Sequence, residues 1–337
     1  MIVAGIDGGA TQTRVVLASE QGMLLGLGVG GPSNYNNVGI DGARAGIKGA
    51  LEQAWAAAGV ERTVLQAVFM GMAGVVSSAD RAIIRRIAGD LSLAADSAIH
   101  IDHDIRIALA GGLGGHEGVV LIAGTGSSSY GRREDGRHHR TGWGYLLDDV
   151  GSAYYLGLEA MKATVRAADG RGQHTVLSEV VRDAMGFSHI DEIMEIVYRD
   201  RPDITGIAAL APLVIAAAEK GDQVAEDTLN HGAGELALMV RVVADTLGFL
   251  AKGFRVTMVG GLVESSRTYN QRICRAILTT MHGATIQEPL LPPVIGAALL
   301  ALQSAGCAPT EGLVTTLRQQ AEALIKRAPA GLPKETR

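Results

Sequence analysis

The chain has 337 residues, more than one domain usually holds, so we expect two lobes with a cleft. Hydrophobic residues make up 47% of the chain and aromatic residues only 4%, which favours an α/β architecture over an aromatic-rich β-sandwich. A formal net charge of -5 with scattered Lys and Arg gives no electrostatic footprint for nucleic acid or an anionic membrane. We therefore expect a small-molecule partner, no nucleic acid and no membrane.

Cysteine usage and hydropathy limit the remaining classes. Cys274 and Cys307 lie far apart in the sequence, so they provide neither a disulfide framework nor a Cys-x-x-Cys metal site. The N-terminus has no basic region, and the most apolar internal stretch, 204–218, is interrupted by Pro212 and is too short to cross a bilayer. These features predict a soluble, cytoplasmic protein.

The chain opens with two apolar, β-prone runs that flank Asp7, Gly8, Gly9, Thr11 and Thr13. This pattern predicts a strand, a tight turn and a returning strand, and we call Asp7–Thr13 the first glycine turn. Glycines let backbone N–H groups approach a phosphate and threonines offer hydroxyls; the carboxylate fits if Mg²⁺ or its waters lie between. An ordinary hairpin with a glycine turn is the alternative.

Strand and helix patterns follow as far as the glycine-rich stretch 111–115, which we take as the end of the first lobe. Gly26, Gly28 and Gly31 match G-x-G-x-x-G by spacing, but a loop follows where a dinucleotide-binding fold needs a helix, so we reject that site. The expected strands are 23–29, 65–70 and 99–104, and the expected helices are 41–58, 79–88 and 105–110. In the helix 79–88, Arg81, Arg85 and Arg86 are expected to form a solvated face.

A second copy of the opening pattern begins at Gly118, where an apolar strand runs into Gly124, Thr125, Gly126 and Ser127 before a returning strand. We call Gly124–Ser127 the second glycine turn. The repeat predicts a duplicated α/β unit with a phosphate turn in each half, the two facing one another across the cleft.

The rest of the chain is expected to be mostly helical. A glycine-rich loop carries Gly142, Trp143, Gly144, Asp148 and Asp149, and we call Gly142–Asp149 the tryptophan segment. The expected helices are 153–168, several within 174–250, 294–303 and 313–326. Within 174–250, Leu236, Met239, Val240, Val243 and Leu247 recur on one face, which is expected to be core. The stretch 255–263 is expected to hold a strand that ends in the pair Gly260-Gly261.

No P-loop motif is present. The two glycine turns, the strand-end Asp104 and the later Gly260-Gly261 instead resemble, in that order, the actin, hexokinase and Hsp70 superfamily. Within it the chain is most similar to the branch of N-acetylglucosamine kinases and BadF/BadG/BcrA/BcrD-type ATPases, also through the tryptophan segment and Ile295–Leu299. The resemblance implies a two-lobed actin-like ATPase (ribonuclease H-like) fold of duplicated α/β domains around a central cleft. The expected lobes are 1–115, rejoined by a C-terminal helix 312–337, and 116–311.

The resemblance also implies roles for individual residues. Asp104 would be the catalytic base and would contact the sugar, and Asp7 would organise Mg²⁺ through water. The ATP-binding set would be Asp7, Gly8, Gly9, Thr11, Thr13, Thr125, Gly126, Ser127, Gly260 and Gly261. The remaining acceptor-binding set would be Asn34, Gly142, Trp143, Gly144 and Asp149.

The implied activity is ATP-dependent transfer of the γ-phosphate to the 6-hydroxyl of an amino sugar, N-acetylglucosamine or glucosamine, by a homodimer. At the positions of Asp148 and Val150 the related kinases carry Gly and Glu. Muramic acid, mannosamine or another hexose is therefore an alternative acceptor. One rival is an ATPase activator of a dehydratase or reductase, which needs paired cysteines for an iron–sulfur cluster. The other is a non-catalytic sugar or nucleotide sensor.

Several residues have plainer alternative roles. Asp102 competes with Asp104 as the strand-end carboxylate. His103 is expected to point away from both aspartates, because side chains alternate along a strand, and to be solvated or packed. Trp143 is alternatively core filling, and Asp148 is alternatively a cap for the helix that starts near Ser152.

Overall fold

The computed structural model describes residues 1–200 and 202–327. Internal contacts divide the chain into two compact units. Among the described residues, the first unit contains Met1–Glu117 and 287–327, and the second contains Gly118–Ile286.

The strands are β1 (Ile2–Gly8), β2 (Thr13–Ser19), β3 (Leu24–Gly30), β4 (Ala67–Met72), β5 (Ile99–His103), β6 (Gly118–Ala123), β7 (Ser127–Arg132), β8 (His138–Thr141), β9 (Phe254–Val259) and β10 (Ala284–Gln287). The helices are α1 (Tyr35–Ala58), α2 (Ser78–Asp90), α3 (Asp104–Gly112), α4 (Ala153–Ala168), α5 (Leu177–Met185), α6 (Glu192–Glu195), α7 (Ile204–Ala208), α8 (Ala211–Glu219), α9 (Gln223–Thr246), α10 (Gly261–Ser265), α11 (Arg267–Thr280), α12 (Pro293–Ser304) and α13 (Glu311–Arg327). A 3₁₀ turn covers Asp96–Ala98 and a π-helical turn covers Ile196–Asp200.

The two units contain sheets with the same strand order. The first sheet has the strand order β3-β2-β1-β4-β5. The second sheet, read in the same direction from its antiparallel edge, has the order β8-β7-β6-β9-β10. In each sheet three antiparallel strands are followed by a strand that pairs in parallel with the first, β4 on β1 and β9 on β6. The predicted duplication of an α/β unit is confirmed.

The core of the first unit forms where helices pack on both faces of its sheet. Helix α1 lies so close to β3 that a Cβ on Gly26 would come within 2.1 Å of the Ala54 carbonyl oxygen, and one on Gly28 within 1.9 Å of the Ala50 carbonyl oxygen. These two glycines therefore serve helix–sheet packing, which explains a G-x-G pattern without a dinucleotide. Helix α12 packs against β1, β4 and α3.

The core of the second unit is built around α9, which packs against β6 and β7. The predicted face of α9, continued by Leu247, is buried as expected. Among the described residues no single helix has both the length and the apolar character that a bilayer crossing needs, although the bent pair Ile204–Glu219 and Gln223–Thr246 meets both when taken together.

The structure differs from the sequence-based expectations in several places. Helix α1 begins at Tyr35 rather than at residue 41, because Asn34 caps it and the helix only breaks at Gly39. The elements β10 and α11 were not predicted. On α2, the partly exposed arginines form surface ion pairs that were not predicted, Arg81 with Asp102 at 2.9 Å and Arg85 with Asp96 at 3.0 Å.

A further difference concerns the return to the first unit. The chain rejoins that unit at Gln287 rather than at residue 312, because α12 packs on its sheet. Helix α13, the described part of the expected helix 312–337, contacts β3 and α12. Residues 328–337 lie outside the described residues.

Candidate active site

The first glycine turn joins β1 to β2. The Gly9 N–H donates to the Gln12 carbonyl at 3.0 Å and closes the turn tightly. Thr11 is exposed at its tip, whereas Thr13 is fully buried and its hydroxyl donates to the Gly31 carbonyl at 2.7 Å. The hydroxyl of Thr11 is therefore accessible to a ligand, and that of Thr13 already stabilises the loop after β3.

Asn34 is hydrogen-bonded to the first glycine turn. The backbone N–H groups of Ser33 and Asn34 both donate to the Gly9 carbonyl, at 3.0 and 3.2 Å. The Asn34 side-chain oxygen accepts the Asn36 N–H at 3.1 Å and so caps α1. The predicted acceptor residue and the predicted phosphate turn thus lie side by side in the first unit.

Two carboxylates, Asp7 at the end of β1 and Asp104 at the start of α3, influence one another electrostatically. Burial, followed by the negative charge of Asp104, raises the pKa of Asp7 from 3.8 to about 6, although Arg14 opposes the shift. A carboxylate in this environment gains from a nearby divalent cation, because the cation offsets both effects.

His103 contacts Asp104, so the prediction that it points away from both aspartates is wrong. Its Nδ1 lies 2.5 Å from Asp104 Oδ1, and the same nitrogen is placed to accept the Ile105 N–H at 3.3 Å, as the N-cap of α3. Strand alternation fails here because β5 ends at His103 and α3 begins at the next residue. With a proton on Nδ1, His103 donates to the Asp104 carboxylate instead of capping the helix, a contact that the sequence did not suggest.

Asp102, the alternative strand-end carboxylate, is occupied by other partners. Its Oδ1 accepts from Arg81 Nη2 at 2.9 Å and from the His103 N–H at 2.9 Å. No group of three or more His, Cys, Asp or Glu side chains within residues 1–200 and 202–327 is arranged to hold a metal ion. This distribution of contacts leaves Asp104 as the better candidate for proton transfer.

The second glycine turn joins β6 to β7 and lies against the N-terminus of α4. The Gly124 N–H donates to the Gly126 carbonyl at 3.0 Å, and Thr125 is exposed. The first N–H groups of α4, from Ala153 and Tyr154, donate to the Gly124 and Thr125 carbonyls at 2.8 and 3.1 Å. The turn is therefore held by the helix, and its exposed tip is left accessible.

The N-cap of α4 is Ser152, whose hydroxyl accepts the Tyr155 N–H at 3.1 Å. The alternative role of Asp148 as this cap is therefore excluded. The hydroxyl of Ser127, a predicted ATP ligand, donates to the Val150 carbonyl at 3.2 Å.

Gly260 and Gly261 follow β9, directly beside the second glycine turn. Gly260 has φ 115°, and a Cβ there would come within 2.6 Å of the Ala123 carbonyl oxygen. Only glycine fits this close approach. Nothing lies within 4 Å of the corresponding position on Gly261. The structure thus brings together two glycine motifs that are more than a hundred residues apart in the sequence.

The tryptophan segment projects an apolar loop. Trp143 is 67% exposed, with the Arg140 guanidinium 5.2 Å from its ring centre, so it is not core filling. Leu146 and Leu147 are 80% and 83% exposed. The segment is anchored at its end by Asp149, which is buried. The segment therefore presents an accessible aromatic ring, which suits the apolar face of a sugar.

The Asp149 carboxylate lies against the second glycine turn, because a Cβ on Gly126 would come within 2.6 Å of Asp149 Oδ2. Burial raises the pKa of Asp149 above 3.8; the backbone N–H groups of Ser127 and Gly144 oppose the shift, and the charge of Asp148 adds to it.

Each unit therefore gathers its own share of the predicted site. The first unit holds Asp7, Gly8, Gly9, Thr11, Thr13, Asn34 and Asp104, and the second holds Thr125, Gly126, Ser127, Gly142, Trp143, Gly144, Asp149, Gly260 and Gly261.

The chain is similar to known proteins along most of its length. Residues 4–301 match the profile of the BadF/BadG/BcrA/BcrD ATPase family. The chain is 32% identical over 264 residues to an N-acetylmuramic acid/N-acetylglucosamine kinase of Clostridium acetobutylicum, covering 78% of this chain and 86% of the relative. It is 29% identical over 316 residues to an N-acetyl-D-glucosamine kinase of Dictyostelium discoideum, covering 90% and 98%.

A solved structure from Chromobacterium violaceum, named as an N-acetylglucosamine kinase, superposes with a TM-score of 0.69 and 28% identity. The match covers 90% of this chain and 99% of that one. The similarity therefore extends through both units rather than through one glycine motif.

Proposed function

The chain belongs to the BadF/BadG/BcrA/BcrD ATPase family, and we propose that it is an ATP-dependent kinase that phosphorylates the 6-hydroxyl of an amino sugar, N-acetylglucosamine or glucosamine. The observation that carries the proposal is that Asp7, near the end of β1 and next to an accessible glycine turn, feels the charge of Asp104, which follows β5 two strands away in the same sheet. Phosphoryl transfer needs positioned phosphates, a metal and one proton acceptor, and these residues suit those tasks.

The nucleotide phosphates would be held by backbone N–H groups and hydroxyls of both glycine turns. The exposed Thr11 and Thr125 are the side chains available for this, whereas the hydroxyls of Thr13 and Ser127 already have protein partners. Gly260 and Gly261 would let the end of β9 pass close to the adenosine. The chain would therefore bind the nucleotide mostly through backbone groups. Backbone N–H groups can hold a triphosphate without a cluster of Lys or Arg side chains.

Asp7 would hold a magnesium ion through water. Burial and the Asp104 charge both disfavour the ionised form of Asp7, and a divalent cation nearby would offset both effects. When bound, the ion neutralises charge on the phosphate oxygens. Asp104 would accept the proton of the 6-hydroxyl as its oxygen attacks the γ-phosphorus and the bond to ADP breaks. His103 would keep the Asp104 carboxylate oriented, through the contact at 2.5 Å. Asn34 and Trp143 would contact the sugar.

We also propose, from the family resemblance, that the enzyme is a cytoplasmic homodimer. The activator rival is not favoured, because Cys274 lies in the second unit and Cys307 in the first, so the two thiols do not form a pair within either unit.

The test is ADP release by the purified protein with Mg-ATP and a panel of N-acetylglucosamine, glucosamine, N-acetylmuramic acid, glucose and no sugar. We expect one amino sugar to stimulate release strongly. Asp104→Asn should lower this stimulated turnover by about a hundredfold or more while binding of Mg-ADP is kept. Asp102→Asn, which removes a neighbouring carboxylate, is the matched control and should retain turnover. A sugar-independent rate, or full turnover by Asp104→Asn, contradicts the proposal.

A further inference from the structure

The loop 73–77, which joins β4 to α2, lies against the side chain of Asn34. Gly74 in this loop has φ 82°, and a Cβ there would come within 2.6 Å of Asn34 Oδ1. The loop is also hydrogen-bonded to the first glycine turn, because the Ala73 N–H donates to the Gly8 carbonyl at 2.8 Å. The loop therefore borders the side chain that we assign to the acceptor sugar.

Asp80, in the first turn of α2, joins this loop to another helix. Its Oδ2 accepts the N–H groups of Val76 and Ser77 at 2.9 and 2.7 Å. The Ser77 hydroxyl accepts the Asp80 N–H at 3.2 Å, which completes the capping box of α2. These bonds use one carboxylate oxygen, and the other, Oδ1, accepts from the Tyr35 hydroxyl of α1. The Asp80 side chain therefore does more than cap its own helix.

The contact between Tyr35 and Asp80 is a charge-assisted hydrogen bond. The bond from the Tyr35 hydroxyl lowers the pKa of Asp80 below its ordinary value, and the same bond raises the pKa of Tyr35 above its ordinary value. At neutral pH the tyrosine therefore keeps its proton and the aspartate its charge, which is the combination that makes such a bond strong.

The first turn of α1 depends on contacts outside the helix, because it is separated from the rest of α1. The backbone breaks at Gly39, where φ is 70° and ψ is 172°. A straight continuation of the helix therefore does not fix this turn. Two contacts with neighbouring segments hold it: the Tyr35 hydroxyl bonds to Asp80, and Asn36 Nδ2 lies 3.5 Å from the Gly74 carbonyl oxygen. The N-cap residue of α1 is held in place with this turn.

We propose that Tyr35 and Asp80 are positioning residues that hold Asn34 in place for the acceptor sugar. The inference rests on the proposed function, in which Asn34 contacts the sugar. Without the Tyr35 hydroxyl, the first turn of α1 loses its bond to α2, and the Asn34 amide is no longer held in the geometry that binds the sugar. The first glycine turn keeps its own closure between Gly9 and Gln12, so nucleotide binding should not change.

Three substitutions separate positioning from stability. Tyr35→Phe removes the hydroxyl and leaves the capping box of α2 intact. Ser77→Ala is the matched control, because it removes the hydroxyl that caps α2 and leaves the bond between Tyr35 and Asp80 intact. Asn34→Ser keeps an N-cap oxygen for α1 but shortens the side chain that would reach the sugar.

The experiment measures ADP release with Mg-ATP and the sugar that stimulates the wild type. Tyr35→Phe should lower kcat/KM for the sugar about tenfold, mainly through KM, and should keep the affinity for Mg-ADP measured by calorimetry. Ser77→Ala should lower the thermal midpoint and keep the wild-type kcat/KM for the sugar. In the Asn34→Ser background, Tyr35→Phe should have no further effect on kcat/KM, because effects that act through one residue are not additive.

Three results would overturn the inference and leave the proposed function intact. Tyr35→Phe keeps the wild-type kcat/KM for the sugar, Ser77→Ala loses as much of it as Tyr35→Phe does, or Tyr35→Phe has its full effect in the Asn34→Ser background. A Tyr35→Phe variant that does not fold would show a structural role and overturn the inference as well. A wild type whose ADP release no sugar stimulates would instead contradict the proposed function, and the inference with it.

Discussion

Replacing Asp7 with asparagine should stabilise the unliganded chain at pH 8 and weaken its use of magnesium. The pKa of Asp7 rises from 3.8 to about 6 on folding, so the folded chain holds an extra proton between these pH values. The stability that this proton provides is fully present below pH 3.8 and is lost as pH rises through 6. Asparagine has a similar shape and no charge, so it removes that pH dependence.

The size of the effect follows from the pKa difference. One pKa unit corresponds to about 1.4 kcal/mol, so the shift corresponds to about 3 kcal/mol at most. Partial exposure of Asp7 reduces this free-energy difference. We therefore expect Asp7→Asn to be more stable than the wild type by about 1–3 kcal/mol at pH 8 and equally stable at pH 4. The apparent affinity for magnesium should fall about 10- to 100-fold, as for a residue that orients metal-bound water.

The assay is urea unfolding of both proteins at several pH values between 4 and 8. Asp102→Asn is the matched control, because Asp102 is paired with Arg81 at 2.9 Å and its loss should leave stability unchanged or lower at pH 8. A variant Asp7→Asn that is no more stable than the wild type at pH 8, with the same pH dependence, would refute the reasoning.

Three further substitutions or pairs test other parts of the site. Gly260→Ala should lower both the thermal midpoint and Mg-ADP affinity, because its Cβ would come within 2.6 Å of a carbonyl oxygen, whereas Gly261→Ala should be tolerated because nothing lies within 4 Å. Thr13→Val should destabilise the chain by about 1 kcal/mol in urea unfolding, since it removes the hydrogen bond from the buried Thr13 hydroxyl to the Gly31 carbonyl, whereas Thr11→Ala should weaken Mg-ADP binding and keep the stability. Trp143, which is 67% exposed, should give tryptophan emission that shifts to the blue when the sugar binds, and Trp143→Phe should abolish that shift without changing the thermal midpoint.

The fold was largely predictable because each half opens with an apolar strand, a glycine turn and a returning strand, a local pattern that needs no knowledge of the rest. The omitted strand β10 is four residues long and only partly buried, so neither length nor alternation marks it. The start of α1 was missed although Asn34 is a standard N-cap residue, because Gly39 interrupts the helical pattern five residues later.

The site was predictable at the level of motifs but not of contacts. Thr11 and Thr13 have the same chemistry in the sequence, and only the contact with Gly31 distinguishes the exposed hydroxyl from the engaged one. His103 was assigned by strand alternation, which fails at the junction of a strand with a helix. The position of the Asp149 carboxylate against Gly126, more than twenty residues earlier in the chain, is a contact that no local pattern reports.

The most direct test of the central claim is identification of the product by ³¹P nuclear magnetic resonance, with Mg-ATP and N-acetylglucosamine or glucosamine as reactants. We predict equal amounts of ADP and a sugar monophosphate whose phosphorus couples to the protons on carbon 6, with no reaction of a 6-deoxy sugar. Formation of ADP and inorganic phosphate at the same rate with and without sugar would contradict the account.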